Sequence, residues 1–134
     1  MAEQKIDLCL TFNRVSPAQF RAAVLQAMDQ SPYHRENINL KPSYADDECW
    51  LSSSQSCGFA VSPEKELLSV FSCVAGDGTT LLKFAKERYD DLHLNCYATT
   101  FLRKFYEKNG FEVIRREPSW LQGKPDVLYM ELKA

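Results

Sequence analysis

Hydrophobic and polar positions alternate in some segments of this chain and recur at helical spacing in others. Residues 6–12, IDLCLTF, have an apolar residue at every second position, and this period of two predicts a strand with one buried face. Ser16 is then a suitable helix N-cap, and Pro17 suits the first helical position. The helix that follows has one apolar stripe, formed by Phe20, Ala23, Val24, Ala27 and Met28.

The polar segment 31–48 contains two prolines and predicts a loop with room for a short helix. Later segments predict six strands and two helices. The strands are CWLSSS (49–54), CGFAVS (57–62), ELLSVFSCV (66–74), DLHLNCY (91–97), FEVIRRE (111–117) and DVLYMEL (126–132), and the helices are TLLKFAKERY (80–89) and TTFLRKFYEKN (99–109). The unit from 66 to 97 favours two parallel strands joined by a right-handed crossover, and the flanking hairpins are antiparallel. The sequence therefore predicts a mixed sheet.

Length and composition narrow the class of protein. A chain of 134 residues fits one domain, 1–134, and its net charge of −2 argues against a nucleic-acid partner, although a few basic residues could form a patch. These are Arg103, Lys104, Arg115, Arg116 and Lys124. Five cysteines without a CxxC pair, together with two histidines, predict no metal site. The sequence has no signal-peptide pattern and no membrane-spanning apolar run, so we expect a cytoplasmic protein with reduced thiols.

A glycine-containing turn separates the strand 66–74 from the helix that follows it. The stretch CVAGDG, residues 73–78, places Gly76 and Gly78 where backbone N–H groups meet a helix N-terminus, which is a favourable site for phosphate. Such a turn is also common without any ligand.

The element order and the string LHLNCYATTFLRKFYEKNGF, residues 92–111, resemble the GNAT family of N-acetyltransferases. The resemblance covers about Gly58 to Lys133. It implies an α/β, GNAT-like fold with a mixed, mainly antiparallel sheet of six or seven strands and helices on both faces. Strands 66–74 and 91–97 would then be neighbours that splay apart at their C-terminal ends.

The resemblance also implies a cofactor and an activity. Acetyl-CoA would lie with its pantetheine arm in the gap between the splayed strands and its pyrophosphate on the glycine turn. The residues that would bind it are Val74, Gly76, Gly78, Thr79, Thr80 and Thr99. An amine of a small molecule or a protein would attack the thioester directly, and Tyr106 would protonate the leaving thiolate. A homodimer is left open.

Tyr106 has two interpretations, because it shares a helical stripe with Phe101, Leu102 and Phe105. It is either a buried core residue or the catalytic acid. Adjacent residues point about 100° apart on a helix, so Phe105 can anchor the core while Tyr106 faces the gap. Asn109-Gly110 predicts the end of this helix, since glycine supplies the left-handed conformation that stops it.

The general base and the acceptor site are less well defined. Glu48, Glu66 and His93 are candidate bases, each with a structural role as the alternative. The segment Tyr33-His34-Arg35-Glu36 is either a cover of the acceptor site or a solvated loop, and Trp120 either lines a pocket or caps the sheet.

Two departures from the family turn keep a second function open. Cys73 replaces a basic or amide residue, and Asp77 places a negative charge near the expected pyrophosphate. The alternative is a GNAT-fold protein with weak or lost CoA binding that acts as a protein-interaction module.

Overall fold

The computed structural model describes residues 10–74, 76–119 and 121–133. These described residues form seven strands and four helices. Their bounds are β1 Phe12–Val15, α1 Pro17–Gln30, α2 Pro32–Asn37, β2 Glu48–Ser52, β3 Cys57–Val61, β4 Leu67–Ser72, α3 Asp77–Arg88, β5 His93–Tyr97, α4 Thr100–Lys108, β6 Phe111–Glu117 and β7 Val127–Leu132.

Helix α1 begins where the sequence predicted. The Ser16 hydroxyl accepts the Gln19 N–H at 3.1 Å, and the Gln19 side chain accepts the Ser16 N–H at 3.0 Å. This reciprocal pair satisfies two N–H groups that the helix itself cannot pair. The short helix α2 confirms that the polar segment after α1 contains a helix.

The first strand is shifted from its predicted place. Leu10 and Thr11 lie outside any strand, and β1 begins at Phe12, the last residue of the predicted segment. Pairing with β2 sets this position, because Phe12 lies opposite Ser52 and Val15 lies opposite Cys49. The remainder of the predicted strand, residues 6–9, lies outside the described residues.

The strands form two antiparallel sheets, in the orders β1-β2-β3-β4 and β5-β7-β6. A single parallel bridge between Glu66 and His93 joins them, and the His93 N–H donates to the Lys65 carbonyl at 3.2 Å. The prediction that β4 and β5 are parallel neighbours is therefore confirmed at their N-terminal ends. Beyond this bridge the two strands separate, and we call the space between them the β4–β5 gap.

Helices cover both faces of the sheets, as predicted. Helix α1 packs on one face, against a cluster that includes Phe20, Tyr44 and Phe71. Helices α3 and α4 pack on the other face, against a cluster that includes Phe59, Leu94 and Phe111. Alternate residues of β2 enter the two clusters, since Trp50 faces α3 while Leu51 faces α1.

Strand β4 contains a bulge at Ser69. The pairing with β3 shifts between Gly58 and Ala60, and Ser69 has φ of 50°, in the left-handed region that non-glycine residues rarely adopt. The Ser69 hydroxyl donates to the Asn39 carbonyl at 3.1 Å and lies 2.6 Å from the Tyr44 hydroxyl. These contacts hold the strained residue in place.

Candidate active site

The wide end of the β4–β5 gap lies between the C-terminal ends of the two strands. The Cys73 N–H pairs with the Ser56 carbonyl, just before β3, at 2.8 Å. Because successive residues of a strand point their backbone groups to opposite edges, the Ser72 carbonyl points away from β3 and toward the gap. In the part of the chain that the structure describes, no strand pairs with this edge of β4, so its backbone groups can bind side chains or a ligand.

Helix α2 crosses this open edge. His34 is buried, and its Nε2 lies 3.2 Å from the Ser72 carbonyl oxygen. The ring of Tyr33 lies 6.0 Å from the ring of Phe101 in α4, in an edge-to-face arrangement. The side chains of α2 therefore connect the end of β4 to α4 across this end of the gap.

Tyr106 lies in the core beside the gap. It is 7% exposed, and its ring packs edge-to-face against Phe111 at 5.8 Å. Burial raises the pKa of the Tyr106 phenol strongly, and the charges that Cys96 and Tyr33 can carry raise it further. Tyr106 is therefore protonated at neutral pH, and it lies within electrostatic range of both β5 and α2.

Helix α4 buries a narrower stripe than the sequence predicted. Leu102 and Tyr106, one turn apart, are its buried residues, whereas Phe101 is 63% exposed. Phe105 is partly buried and packs against the core cluster, and Tyr106 is itself a buried member of that cluster. The helix has nine residues, and positions four apart are the ones that share a face. It ends as predicted, since Gly110 has φ of 98°.

Burial also changes the pKa of the Cys96 thiol, which lies near enough to Tyr106 to affect the pKa of that phenol. Desolvation raises the pKa of Cys96 on β5 to about 12. Any thiolate formed in this part of the molecule would meet the same lack of solvation, so it would take up a proton readily.

The glycine turn after β4 is open to solvent. Gly76 is the N-cap of α3, with φ of 91°, and a Cβ atom there would meet no other atom within 4 Å. Thr79 and Thr80 are exposed, and Gly76 has no side chain that could cap the helix. The N-terminal amides of α3 are thus accessible to an anion, although Asp77 adds a negative charge in the first turn.

Gly78 has a different role from Gly76. A Cβ atom at Gly78 would lie 3.0 Å from the Phe105 ring, so α3 and α4 approach closely at this position. A larger residue at Gly78 would require the Phe105 ring to shift by a few tenths of an ångström. Val74 is exposed, and Ala75 lies outside the described residues.

Thr99 lies at the N-cap of α4, where its hydroxyl accepts the Leu102 N–H at 3.2 Å. A helix cap is therefore the role that the contacts of Thr99 display.

The three candidate bases lie away from the wide end of the gap. Glu48 accepts a short hydrogen bond from the Tyr89 hydroxyl, and Glu66 accepts one from the Asn95 amide at 2.9 Å. The His93 Nε2–H donates to the Glu64 carbonyl at 3.0 Å, at the narrow end. The sequence analysis missed Ser69 and gave His34 no separate role, and neither has a local sequence signal.

The cysteines, the proposed basic patch, the helix lengths and Trp120 are the remaining features that the sequence raised. Cys49 and Cys57 are buried, while Cys73 is exposed. Three of the five basic residues named as a patch are in ion pairs, Arg103 with Glu107, Arg115 with Glu117 and Arg116 with Asp126. Among the described helices, none has the length and apolar character needed to cross a membrane. Trp120 lies outside the described residues.

Comparison with known proteins identifies the fold. The chain matches the solution structure of apo YjaB from Escherichia coli with a TM-score of 0.62 and 17% identity, over 92% of this chain and 97% of that one. It matches Escherichia coli ElaA with a TM-score of 0.58 and 16% identity, over 92% and 99%. A Lactobacillus plantarum protein, provisionally classed as an N-acetyltransferase, gives 0.59 and 17%, over 92% and 97%.

The chain has the fold of these three structures, one of which is classed as an N-acetyltransferase. Neither the family models nor the curated protein sequences give a match. The predicted fold class is therefore confirmed by the structural comparison alone. At 16–17% sequence identity, that comparison shows a shared fold.

Proposed function

We propose that this protein is an acetyl-CoA-dependent acyltransferase that transfers an acetyl group to an amine by direct attack. The observation that supports the proposal is a buried, protonated Tyr106 beside the wide end of the β4–β5 gap, where β4 is bound by a side chain and not by a strand. Acetyl-CoA supplies an activated acyl thioester. The remaining chemistry is positioning and proton transfer by the residues of the chain.

The turn after β4 is the proposed pyrophosphate site. The amides of Gly76, Gly78, Thr79 and Thr80 lie at or next to the exposed N-terminus of α3, where the helix dipole favours an anion. Val74, in the turn itself, and Thr99, at the N-terminus of α4, are the other proposed cofactor contacts. The open space around Gly76 fits a bound phosphate.

Tyr106 is the proposed acid that protonates the leaving thiolate. A phenol of raised pKa is a poor acid in water, but the acceptor of its proton would also be poorly solvated here. The Cys96 thiol, whose pKa is raised to about 12, shows the size of this effect on a thiol within electrostatic range of Tyr106. Burial thus raises the pKa of the acid and also that of a thiol that would accept its proton, so the second shift offsets the first in part.

Thermal unfolding with acetyl-CoA tests the proposal. A ligand that binds only the folded state stabilises it by about 2.7 kcal/mol at 100 times its Kd, so the Tm should rise with concentration. Acetyl-pantetheine is the matched control ligand, because it keeps the thioester arm and lacks the pyrophosphate. A Tm that millimolar acetyl-CoA leaves unchanged would contradict the proposal.

A protein-interaction module is the second candidate function. It is favoured by the charge of Asp77 in the proposed phosphate site and by the side chains of Tyr33 and His34, which lie across the wide end of the gap. Under this alternative acetyl-CoA causes no rise in Tm, and the same measurement separates the two functions.

A further inference from the structure

His34 has one ring nitrogen whose role the fold does not explain. Its Nε2 lies 3.2 Å from the Ser72 carbonyl oxygen, which can only accept a hydrogen bond. Nε2 must therefore carry a proton, and in the neutral ring Nδ1 is a bare acceptor. Among the described residues Nδ1 has no hydrogen-bond partner, although it is buried.

A buried acceptor without a donor is rare in folded proteins and costs free energy, so it calls for a functional explanation. Docking of α2 on β4 does not supply one. That contact uses only Nε2–H, which any side-chain donor of similar length could replace.

The position of His34 points to the reaction site. The Ser72 carbonyl faces the β4–β5 gap, so the imidazole lies at the open edge of β4, at the wide end. Tyr33, the residue before His34, is one of the groups that raise the pKa of Tyr106. Helix α2 therefore presents His34 to the same end of the gap that contains Tyr106.

His34 and Tyr106 differ in the direction in which burial shifts their titration. Burial lowers the pKa of His34, against a smaller opposite effect of its bond to Ser72, so the ring is neutral at pH 7. Burial raises the pKa of Tyr106. Two groups whose environments move their pKa values apart are suited to the roles of base and acid.

We propose that His34 is the general base of the acyl transfer, with Nδ1 taking the proton of the acceptor amine. This inference rests on the proposed function. The amine nitrogen forms a bond to the acyl carbon while the bond between that carbon and sulfur breaks. The amine proton goes to Nδ1, and the thiolate takes the Tyr106 proton. Solvent exchange returns a proton from His34 to Tyr106 after product release.

His34 is 7% exposed, so the amine reaches Nδ1 only when that side of the ring is uncovered while Nε2–H stays bonded to Ser72. Catalytic contacts of this kind often form only in the substrate complex. The ring keeps its tautomer as long as the bond to Ser72 persists.

The test compares His34→Gln with His93→Gln. Both histidines donate from Nε2 to a backbone carbonyl, at 3.2 and 3.0 Å, but His93 lies at the narrow end of the gap. Glutamine can keep such a bond and cannot act as a base. Acetyl-CoA binding is measured by calorimetry, and release of CoA thiol is measured with spermidine, tyramine and a lysine peptide as acceptors.

We expect His34→Gln to bind acetyl-CoA as the unmodified protein does and to lose about 10²–10⁴-fold in turnover. His93→Gln should keep both properties. Added imidazole should restore part of the turnover of His34→Ala, because a free base can occupy the space that the side chain leaves.

Unchanged turnover in His34→Gln overturns the assignment of the base and leaves the acyltransferase in place. A loss of turnover in His34→Ala without any rescue by imidazole, accompanied by weaker acetyl-CoA binding, makes His34 a residue that only docks α2. An unmodified protein that neither binds acetyl-CoA nor releases thiol overturns the proposed function, and the base with it.

Discussion

The two ends of the β4–β5 gap differ in what completes the edge of β4. At the narrow end β5 itself does so, through the bridge between Glu66 and His93 and the hydrogen bond from His93 to Lys65. At the wide end the side chain of His34, from α2, donates a hydrogen bond to the Ser72 carbonyl. Strand pairing is repetitive and leaves few groups for chemistry, whereas a side-chain partner can be displaced. The two ends therefore suit different roles, structural at one and catalytic at the other.

The bulge at Ser69 lies between the narrow end and the wide end of the gap. A bulge bends its strand and interrupts the pairing, so β4 turns away from β5 beyond this residue. The Tyr44 and Asn39 contacts hold Ser69 in its left-handed conformation from the face opposite to α3. The geometry of the wide end thus depends on a loop that has no contact with the proposed chemistry.

Apart from His34→Gln, the largest expected effect of a substitution at the wide end belongs to Tyr106→Phe. This change keeps the ring packed against Phe111 and removes the hydroxyl alone. Turnover should fall by about 10²-fold or more, the scale for a positioned acid, while the Tm changes little. Steady-state kinetics and thermal unfolding measure the two. A large loss of Tm with turnover intact would show instead that the hydroxyl satisfies a buried partner.

Tyr44→Phe removes the support of the bulge. The Lys41 N–H donates to the Tyr44 hydroxyl at 3.1 Å, and this hydroxyl bonds Ser69, so both partners lose a bond inside the protein. We expect a loss of about 1–3 kcal/mol in unfolding free energy, measured by urea denaturation.

Asn95→Ala is the control at the narrow end. It removes an exposed bond to Glu66, and we expect it to cost less than about 1 kcal/mol. If the two variants cost the same, the bulge is not a point of stored strain.

Asp77→Asn sharpens the comparison at the mouth of the wide end. Removing a negative charge near a pyrophosphate should tighten acetyl-CoA binding up to about tenfold at low salt, with a smaller gain at high salt. Asp90→Asn makes the same charge change at the other end of α3. Calorimetry at two salt concentrations should show the gain for Asp77→Asn alone, and equal gains for both would indicate a general charge effect.

The smallest expected effect concerns pH. The pKa of His34 is lower in the folded protein than in the unfolded chain, so the unfolded state takes up a proton first as pH falls. This contribution to stability is complete above the unfolded pKa of about 6.5 and decreases as pH falls below it. The drop in Tm between pH 7.5 and 5.5 should therefore be smaller in His34→Gln. Parallel curves for the two proteins would mean that His34 titrates normally.

Much of the fold could be predicted from local signals. Ser16, Pro17 and Gln19 set the start of α1 through contacts within four residues, and Gly110 ends α4 through its own backbone freedom. These features depend only on residues that are close in the chain, so a local stretch of sequence is enough to predict them.

The site was harder to predict because its causes are distant in sequence. Ser69 adopts a left-handed conformation without being glycine, and its support comes from Tyr44, 25 residues away. His34 is held in a buried position by its hydrogen bond to the carbonyl of Ser72, 38 residues away. Its segment is polar, so the sequence fits a solvated loop equally well. Phe101 is exposed although it belongs to the predicted stripe, because the face that α4 buries passes through Leu102 and Tyr106.

The order β5-β7-β6 has a consequence for how the chain folds. The first sheet is built from hairpins between successive strands from β2 to β4, so its pairs can form as soon as each strand leaves the ribosome. In the second sheet β7 is the central strand, and both β5 and β6 wait for it with unpaired edges. During synthesis the segment that contains Tyr106 therefore stays without its supporting sheet until residues 127–132 emerge. The proposed acid would thus be among the last parts of the molecule to reach its place.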